Sequence, residues 1–521
     1  MLANNKTLNG VMLNAYPDSI GNNLSDLISM LKRPEFRDVF SLFYVLPTFF
    51  NSDLDRGFSI IDYNINTELV SKSDLEELAR LNIQLKFDIV LNHLSVASPQ
   101  FKDLLKNGDC SKYKDFFIDW NAFWHGQGEL NDEGIIIPKT ELLDKLFMRK
   151  SGLPILKVSF PDGTKRPYWN TFYQKVNNDN SFLGQMDVNA KSELVWEFYE
   201  ETLAKLKGYG CKILRLDAFA YLHKEVGESN FFNKPGTWNY LEKIKNIADK
   251  NSLQLLPEIH AEYGLNLHNE VAKEGYQIYD FFLPGLMIHT LETGDNQALM
   301  VWVNEIINKG YKTVNMLGCH DGIPVLDLKG KEIDGVFYKG LLDDNEIENI
   351  MNVILERGGR IKNLYNAEGK KISYYQVNAT FYSALGENDK KLLLARAIQM
   401  FMPGIPQVWY LDLFVGKNDY EAVNRAGDGG HKEINRTALS MEDIESGLKK
   451  EVVLNQLKLL KLRNTSMAFS GSIKVNESDS KQIDILWENK NERAHLKASL
   501  KSFQFIIDYT EQGVNKIINF N

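Results

Sequence analysis

Three segments of the chain run apolar and then stop at a carboxylate: Ile213-Leu214-Arg215-Leu216-Asp217-Ala218, Leu256-Pro257-Glu258-Ile259-His260 and Leu317-Gly318-Cys319-His320-Asp321. Side chains two residues apart on a strand share a face, so Arg215 pairs with Asp217 and Glu258 with His260. Neighbouring strands lie about 4.8 Å apart, which would set Asp217 and Glu258 about 5 Å from each other on adjacent strands. Two carboxylates at that distance suit a retaining displacement at a sugar carbon, one as nucleophile and one as acid and base. Arg215 is expected to hold Asp217 ionised through its positive charge. A lone carboxylate at a strand end is more often a structural ion pair. Three in this order carry the signal.

The elements that must position them are short, β-branched and aromatic-rich runs at 10–16, 40–50, 85–94, 212–219, 253–260, 277–284, 313–320 and 404–410. They are apolar on both faces, as strands of a parallel sheet covered on both sides must be. Amphipathic stretches such as 192–207 and 238–249 lie between many of them. Eight strands with helical crossovers predict an α/β protein built on a (β/α)₈ barrel, whose working residues sit at the C-terminal ends of the strands. The spacing is uneven. The barrel is expected in three pieces, 1–94, 191–321 and 386–464, interrupted at its mouth by insertions at 95–190 and 322–385. Short alternating segments over 465–521 read as a separate antiparallel β domain.

Composition narrows the rest. Hydrophobic residues make up 44% and charged residues 25% of 521 residues, the balance of a folded globular chain. With 60 Lys+Arg against 69 Asp+Glu the net charge is −9, so nucleic-acid binding is not expected and any anion must be held by a local patch. The mean hydropathy is −0.30 and no apolar run is long enough for a membrane span, which predicts a soluble, cytoplasmic protein. Cys110, Cys211 and Cys319 lack metal or redox spacing and read as small buried hydrophobes.

The ordered set Phe87-Asp88-Ile89-Val90-Leu91-Asn92-His93, Leu214 to Ala218, Pro257 to His260 and Gly318 to Asp321 resembles the four signature regions of the α-amylase superfamily. Along nearly its whole length the chain is similar to the sucrose phosphorylase subgroup. Asp55-Arg56-Gly57-Phe58, Gly152-Leu153-Pro154, Tyr375-Gln376-Val377-Asn378 and Ile434-Asn435-Arg436 are among the segments that carry the closer match. The resemblance implies Asp217 as nucleophile, Glu258 as acid/base and Asp321 as stabiliser of an oxocarbenium-like transition state. It implies a glucose subsite of Asp55, Phe58, His93, Arg215, His320 and Arg436, with His260 and Gln376 toward the acceptor. Asn92 falls where calcium-dependent amylases place a ligand, but the subgroup implies no metal and no cofactor, only inorganic phosphate as co-substrate.

A hydrolase and a phosphorylase share the glucosyl-enzyme and differ in what attacks it. Phosphate needs fixed cations and loops that exclude water. Arg149 and Lys150 from the first insertion and Tyr375 from the second are the candidates. Where the resemblance places an Asp and a Tyr that bind fructose, this chain has Ser373 and Phe147, while Arg360 and Lys362 lie nearby in sequence, with Lys150, His431 and Lys432 as further cations. The expected reaction is phosphorolysis of sucrose 6′-phosphate, or of sucrose, to α-glucose 1-phosphate. Glucosylglycerate and glucosylglycerol are alternative donors, and a retaining α-glucosidase or a non-catalytic sugar binder are the remaining readings. The partners expected are a small sugar and phosphate, and the assembly a monomer or homodimer.

Overall fold

All eight apolar runs form strands, each shorter than its run. They are β1 (Met12–Ala15), β2 (Leu42–Val45), β3 (Gln84–Val90), β4 (Cys211–Asp217), β5 (Gln254–Pro257), β6 (Ile278–Asp280), β7 (Thr313–Met316) and β8 (Ile405–Trp409). The computed structural model describes residues 9–150, 152–176, 182–365, 371–427 and 430–520, with the backbone alone at 176, 362–365 and 371–376. The strands pair in parallel in the order β5-β4-β3-β2-β1-β8-β7-β6. Among the described residues no ladder joins β5 to β6, so the barrel has a seam there. Helices Leu24–Leu31, Lys72–Arg80, Glu193–Gly208, Gly236–Lys250, Leu267–Lys273, Gln297–Lys309 and Asp389–Phe401 make the crossovers. This is the (β/α)₈ barrel that the alternation of runs predicts.

Local chemistry explains the element ends. Ser71 and Asp74 form a reciprocal capping box that starts helix Lys72–Arg80. Pro257 is the last residue of β5, and Glu258 stands just past the strand with its N–H donating to Leu216 O on β4 at 3.3 Å. Gly404 enters β8 at φ +95°, and a Cβ there would lie 2.2 Å from Thr313 Oγ1 on β7, so only glycine fits.

The first insertion holds its own small core of Trp120, Trp124 and Trp169 with Ile118, Ile135, Ile136 and Leu146. Strand Phe182–Asp187 ties it back to the barrel mouth by pairing with His93–Ser95. The second insertion carries the hairpin Lys331–Ile333/Val336–Tyr338, helix Asp344–Glu356 and the hairpin Arg360–Tyr365/Lys371–Asn378.

The C-terminal strands β9 (Ser472–Val475), β10 (Gln482–Asn489), β11 (Glu492–Ser499), β12 (Phe505–Glu511) and β13 (Val514–Phe520) form one antiparallel sheet in sequence order. This sheet is not separate from the barrel. Ile483, Trp487 and Phe505 belong to the barrel's own hydrophobic core, and Trp487 Nε1 donates to Phe401 O at 2.8 Å. Alternation along a strand predicts that one face is apolar and does not say what covers it. Cys211 and Cys319 are buried, whereas Cys110 is exposed, against expectation. No helix among the described residues is long and apolar enough to cross a membrane.

Candidate active site

Arg215 sits at the centre of the barrel mouth. Register sets it level with Asp88 on β3 and Leu256 on β5. Its side chain is 3% exposed, and its Nη1 lies 2.7 Å from both Asp88 Oδ1 and Asp217 Oδ1. Nη2 lies 2.6 Å from Glu258 Oε1 and 4.0 Å from Asp321 Oδ2. One guanidinium therefore spans four carboxylates delivered by β3, β4 and the segments after β5 and β7. Asp88 also accepts from Tyr44 Oη at 2.9 and 2.7 Å.

That sharing corrects the expectation for Asp217. Burial, with Glu258, Asp88 and Asp321 adding to it, pushes its carboxyl well above the usual range against the pull of Arg215. Asp321 goes the other way. Burial would raise it, but His320, Lys432 and Arg215 hold it well below the usual range. Its oxygens lie 3.0 Å from His320 Nε2, 2.5 Å from Lys432 Nζ and 3.9 Å from Arg436 Nη2. Lys432 thus belongs to the carboxylate cluster, not to a separate anion patch.

The remaining glucose-subsite candidates close one wall. Phe58 stacks on His320 with ring centroids 5.2 Å apart and 11° between planes. His93 is buried, with Nε2 3.1 Å from Phe58 O, and burial lowers its pKa. Arg436 Nε donates to His320 O at 2.9 Å. Asp55 is exposed on this wall, in a turn where Asp55, Arg56 and Gly57 take φ of 50°, 53° and 105°. A Cβ on Gly57 would meet Thr48 N at 2.5 Å, so the turn is pressed against the preceding turn Pro47–Phe49. Asp55, Phe58, His93 and Arg436, with Asp217, Glu258 and Asp321, line a cavity of about 1190 Å³.

The side of that cavity expected to face the acceptor is aromatic and cationic. Phe147 stacks on Phe231 at 4.6 Å, and Tyr221 lies 5.1 Å from Phe172. The Arg149 guanidinium sits 5.6 Å from the Phe172 ring. Lys150 donates to Asn170 Oδ1 and, at 2.9 Å, to Gln174 Oε1; desolvation pulls its pKa down to about 8. His260 and His431 also line the cavity. Arg360 does not: it is exposed and lies 5.6 Å from the Tyr420 ring, because it stands at the start of its hairpin strand. The side chains of Lys362, Ser373, Tyr375 and Gln376 lie outside the described residues.

Sequence reasoning missed several groups. Asp88 lies inside a quoted motif, two residues from Val90, and its charge in an apolar strand was the available signal. Lys86 is buried below it, 2.8 Å from Gln407 Oε1 and 3.5 Å from the Tyr44 ring centroid. Asp327, which contacts His260, had no signal at all. Lys224 is the most informative omission. Its Nζ donates to Asn92 Oδ1 at 2.8 Å and to Tyr221 O at 2.7 Å, and lies 2.8 Å from Asp187 Oδ2. An ammonium already occupies this oxygen nest, so a calcium ion at Asn92 does not fit the residues present. Among the described residues no cluster of three or more His, Cys, Asp or Glu converges as metal ligands.

A (β/α)₈ barrel that gathers three strand-end carboxylates around one arginine in a sugar-sized cavity has the architecture of the α-amylase class of glycoside-active proteins. No family model matches the chain. It is 58% identical over 516 residues, 98% of each chain, to a sucrose 6(F)-phosphate phosphorylase of Ilumatobacter coccineus. It is 34% identical to a sucrose phosphorylase of Streptococcus mutans over 95% of each chain. The crystal structure of sucrose 6F-phosphate phosphorylase from Thermoanaerobacter thermosaccharolyticum superposes with a TM-score of 0.86 at 33% identity, covering 98% of each chain. The chain belongs to the sucrose phosphorylase family.

Proposed function

We propose that the chain is a retaining α-glucoside phosphorylase whose donor is sucrose 6F-phosphate. Asp217 attacks the glucosyl C1 while Glu258 gives its proton to the departing fructosyl oxygen, leaving a β-glucosyl-enzyme and fructose 6-phosphate. Phosphate then attacks C1, its proton passes to Glu258, and Asp217 leaves as a carboxylate, giving α-glucose 1-phosphate. Two inversions restore the α-configuration. Asp321, held ionised by His320 and Lys432, stabilises the positive charge that develops on the ring.

The observation that carries this reading is the Arg215 bridge, which holds Asp217 and Glu258 together at one guanidinium. The donor assignment is supported by the relatives at high coverage and by the acceptor wall. Phe147 offers no hydroxyl to an unmodified fructosyl unit, while Arg149, Lys150, Lys329, Lys331 and Arg425 bring positive charge to the cavity. No metal or organic cofactor enters the proposal, with Lys224 supplying the positive charge beside Asn92.

The test is a donor screen with phosphate present, comparing sucrose 6F-phosphate, sucrose, glucosylglycerate and glucosylglycerol by glucose 1-phosphate release. Glucose 1-phosphate from the phosphorylated donor ahead of sucrose is expected. Glucose alone would replace the reading by a hydrolase, and a preference for plain sucrose would remove the phosphate from the donor.

A further inference from the structure

Beside Glu258 the cavity wall holds an ion pair that the displacement itself does not use. His260 lies two residues beyond Glu258, and its Nδ1 meets Asp327 Oδ1 at 2.6 Å. Asp327 is 2% exposed and sits in the turn Leu326–Leu328, where the second insertion leaves the barrel. The imidazole stacks on Phe281 with centroids 5.0 Å apart and 21° between planes. Both His260 and Asp327 line the cavity.

We propose that Asp327 is a positioning residue that keeps His260 as an imidazolium on the acceptor side, so that the glucosyl-enzyme meets an anionic acceptor, inorganic phosphate, in preference to water. This rests on the phosphorylase reading above. The two charge states of His260 differ sharply for an anion. A neutral ring with its proton on Nδ1, facing Asp327, turns a lone pair at Nε2 toward phosphate oxygens. The imidazolium turns an N–H donor and a positive charge toward them. Water, itself a donor, tolerates either.

The surroundings favour the charged form. Burial opposes it, but Asp327 and Glu258 outweigh burial and raise the pKa of His260, while Arg149 acts against them. Burial in turn raises Asp327, with His260 pulling it back and Glu262 adding to the rise. Glu262 is itself paired with Lys331 at 3.0 Å. As pH rises through the His260 pKa the positive charge is lost and the Michaelis constant for phosphate climbs. Asp327→Asn keeps an acceptor for Nδ1–H but removes the charge, so the same climb begins at lower pH.

The experiment measures the KM for phosphate and the ratio of phosphorolysis to hydrolysis from about pH 5 to 8 for the wild type and Asp327→Asn. In parallel, histidine-labelled protein is titrated by NMR, where nine histidines give a tractable spectrum and His260→Gln assigns the signal. The titration of phosphate itself is common to both proteins and cancels in the comparison. Expected for Asp327→Asn are a phosphate KM about tenfold higher at neutral pH, a phosphorolysis-to-hydrolysis ratio about tenfold lower, and a His260 midpoint moved to lower pH. An unmoved His260 midpoint overturns the proposal, and so does an equal loss on phosphate and water. If the phosphorylase reading were wrong, the wild type would release glucose and no glucose 1-phosphate, whatever the NMR midpoint.

Discussion

Arg215 has four carboxylate neighbours and one positive charge, and that mismatch sets the behaviour of Asp217, the proposed nucleophile. Because burial and the neighbouring carboxylates push the Asp217 carboxyl up, ionising it costs the folded protein stability that ionising it in the unfolded chain does not. Stability is therefore lost as pH rises from the ordinary aspartate range through the raised value. Asp217→Asn is expected to cut turnover to under about one percent while leaving Tm at neutral pH unchanged or raised by about a degree or two. A lowered Tm, measured by calorimetry, would show that Arg215 does hold Asp217 as a favourable ion pair. The same shift fixes the acid limb of kcat/KM. As the proposed nucleophile Asp217 must be ionised, so activity is expected to fall as pH drops through the raised pKa, clearly above the ordinary value of about 3.9. An acid limb at or below pH 4 would contradict the cluster electrostatics.

At the scale of elements, strand ends deliver charge and insertions complete it. Lys224 follows β4, whereas its partner Asp187 ends a strand of the first insertion and Asn92 follows β3. Burial would raise Asp187, but Lys224 and Thr171 hold it below the usual range. Removing the ammonium leaves a fully buried carboxylate with one positive partner fewer. Lys224→Met is expected to cost about 3–5 kcal/mol in chemical denaturation, and chelator is expected to leave the wild-type Tm unchanged. A Tm that falls with chelator would mean that a metal shares the nest. The barrel was legible in the sequence because each strand buries both faces and so becomes a short apolar run. The three carboxylates were legible because they interrupt such runs. Lys224–Asp187 and His260–Asp327 were not, since each joins residues from different elements and no local pattern encodes a long-range ion pair. Arg360 misled for the converse reason: proximity in sequence to the second insertion's tip did not place it in the cavity.

The whole molecule carries a net charge of −9, yet the cavity at the barrel mouth is edged by Arg149, Lys150, Lys329, Lys331 and Arg425. The positive charge at this cavity is a local arrangement of side chains, not a property of the overall field. Both insertions and β8's flank contribute to it, and the C-terminal sheet braces helix Asp389–Phe401 from behind.

The seam between β5 and β6 divides the barrel into two sectors that share one hydrophobic core. Residues up to 274 carry β1 to β5 with Asp217 and Glu258; residues from 275 carry β6 to β8 with Asp321 and the C-terminal sheet. Among the described residues no ladder crosses the seam, and on the far side the sectors are joined by the register pairs Met12 with Gln407, Leu13 with Val408 and Asn14 with Trp409, by the bridge Ile20 to Leu439 and by side-chain bonds such as Lys86 to Gln407. Glu274 and Gly275 are exposed in the connection between helix Leu267–Lys273 and β6, with Gly275 at φ +87°. A chain cut between them is expected to reassemble from its two pieces when they are co-expressed, recovering glucosyl transfer that neither piece shows alone. Purified as a stoichiometric pair without activity, the pieces would show that the peptide link, and not the packed interface, keeps Asp321 facing its two partners.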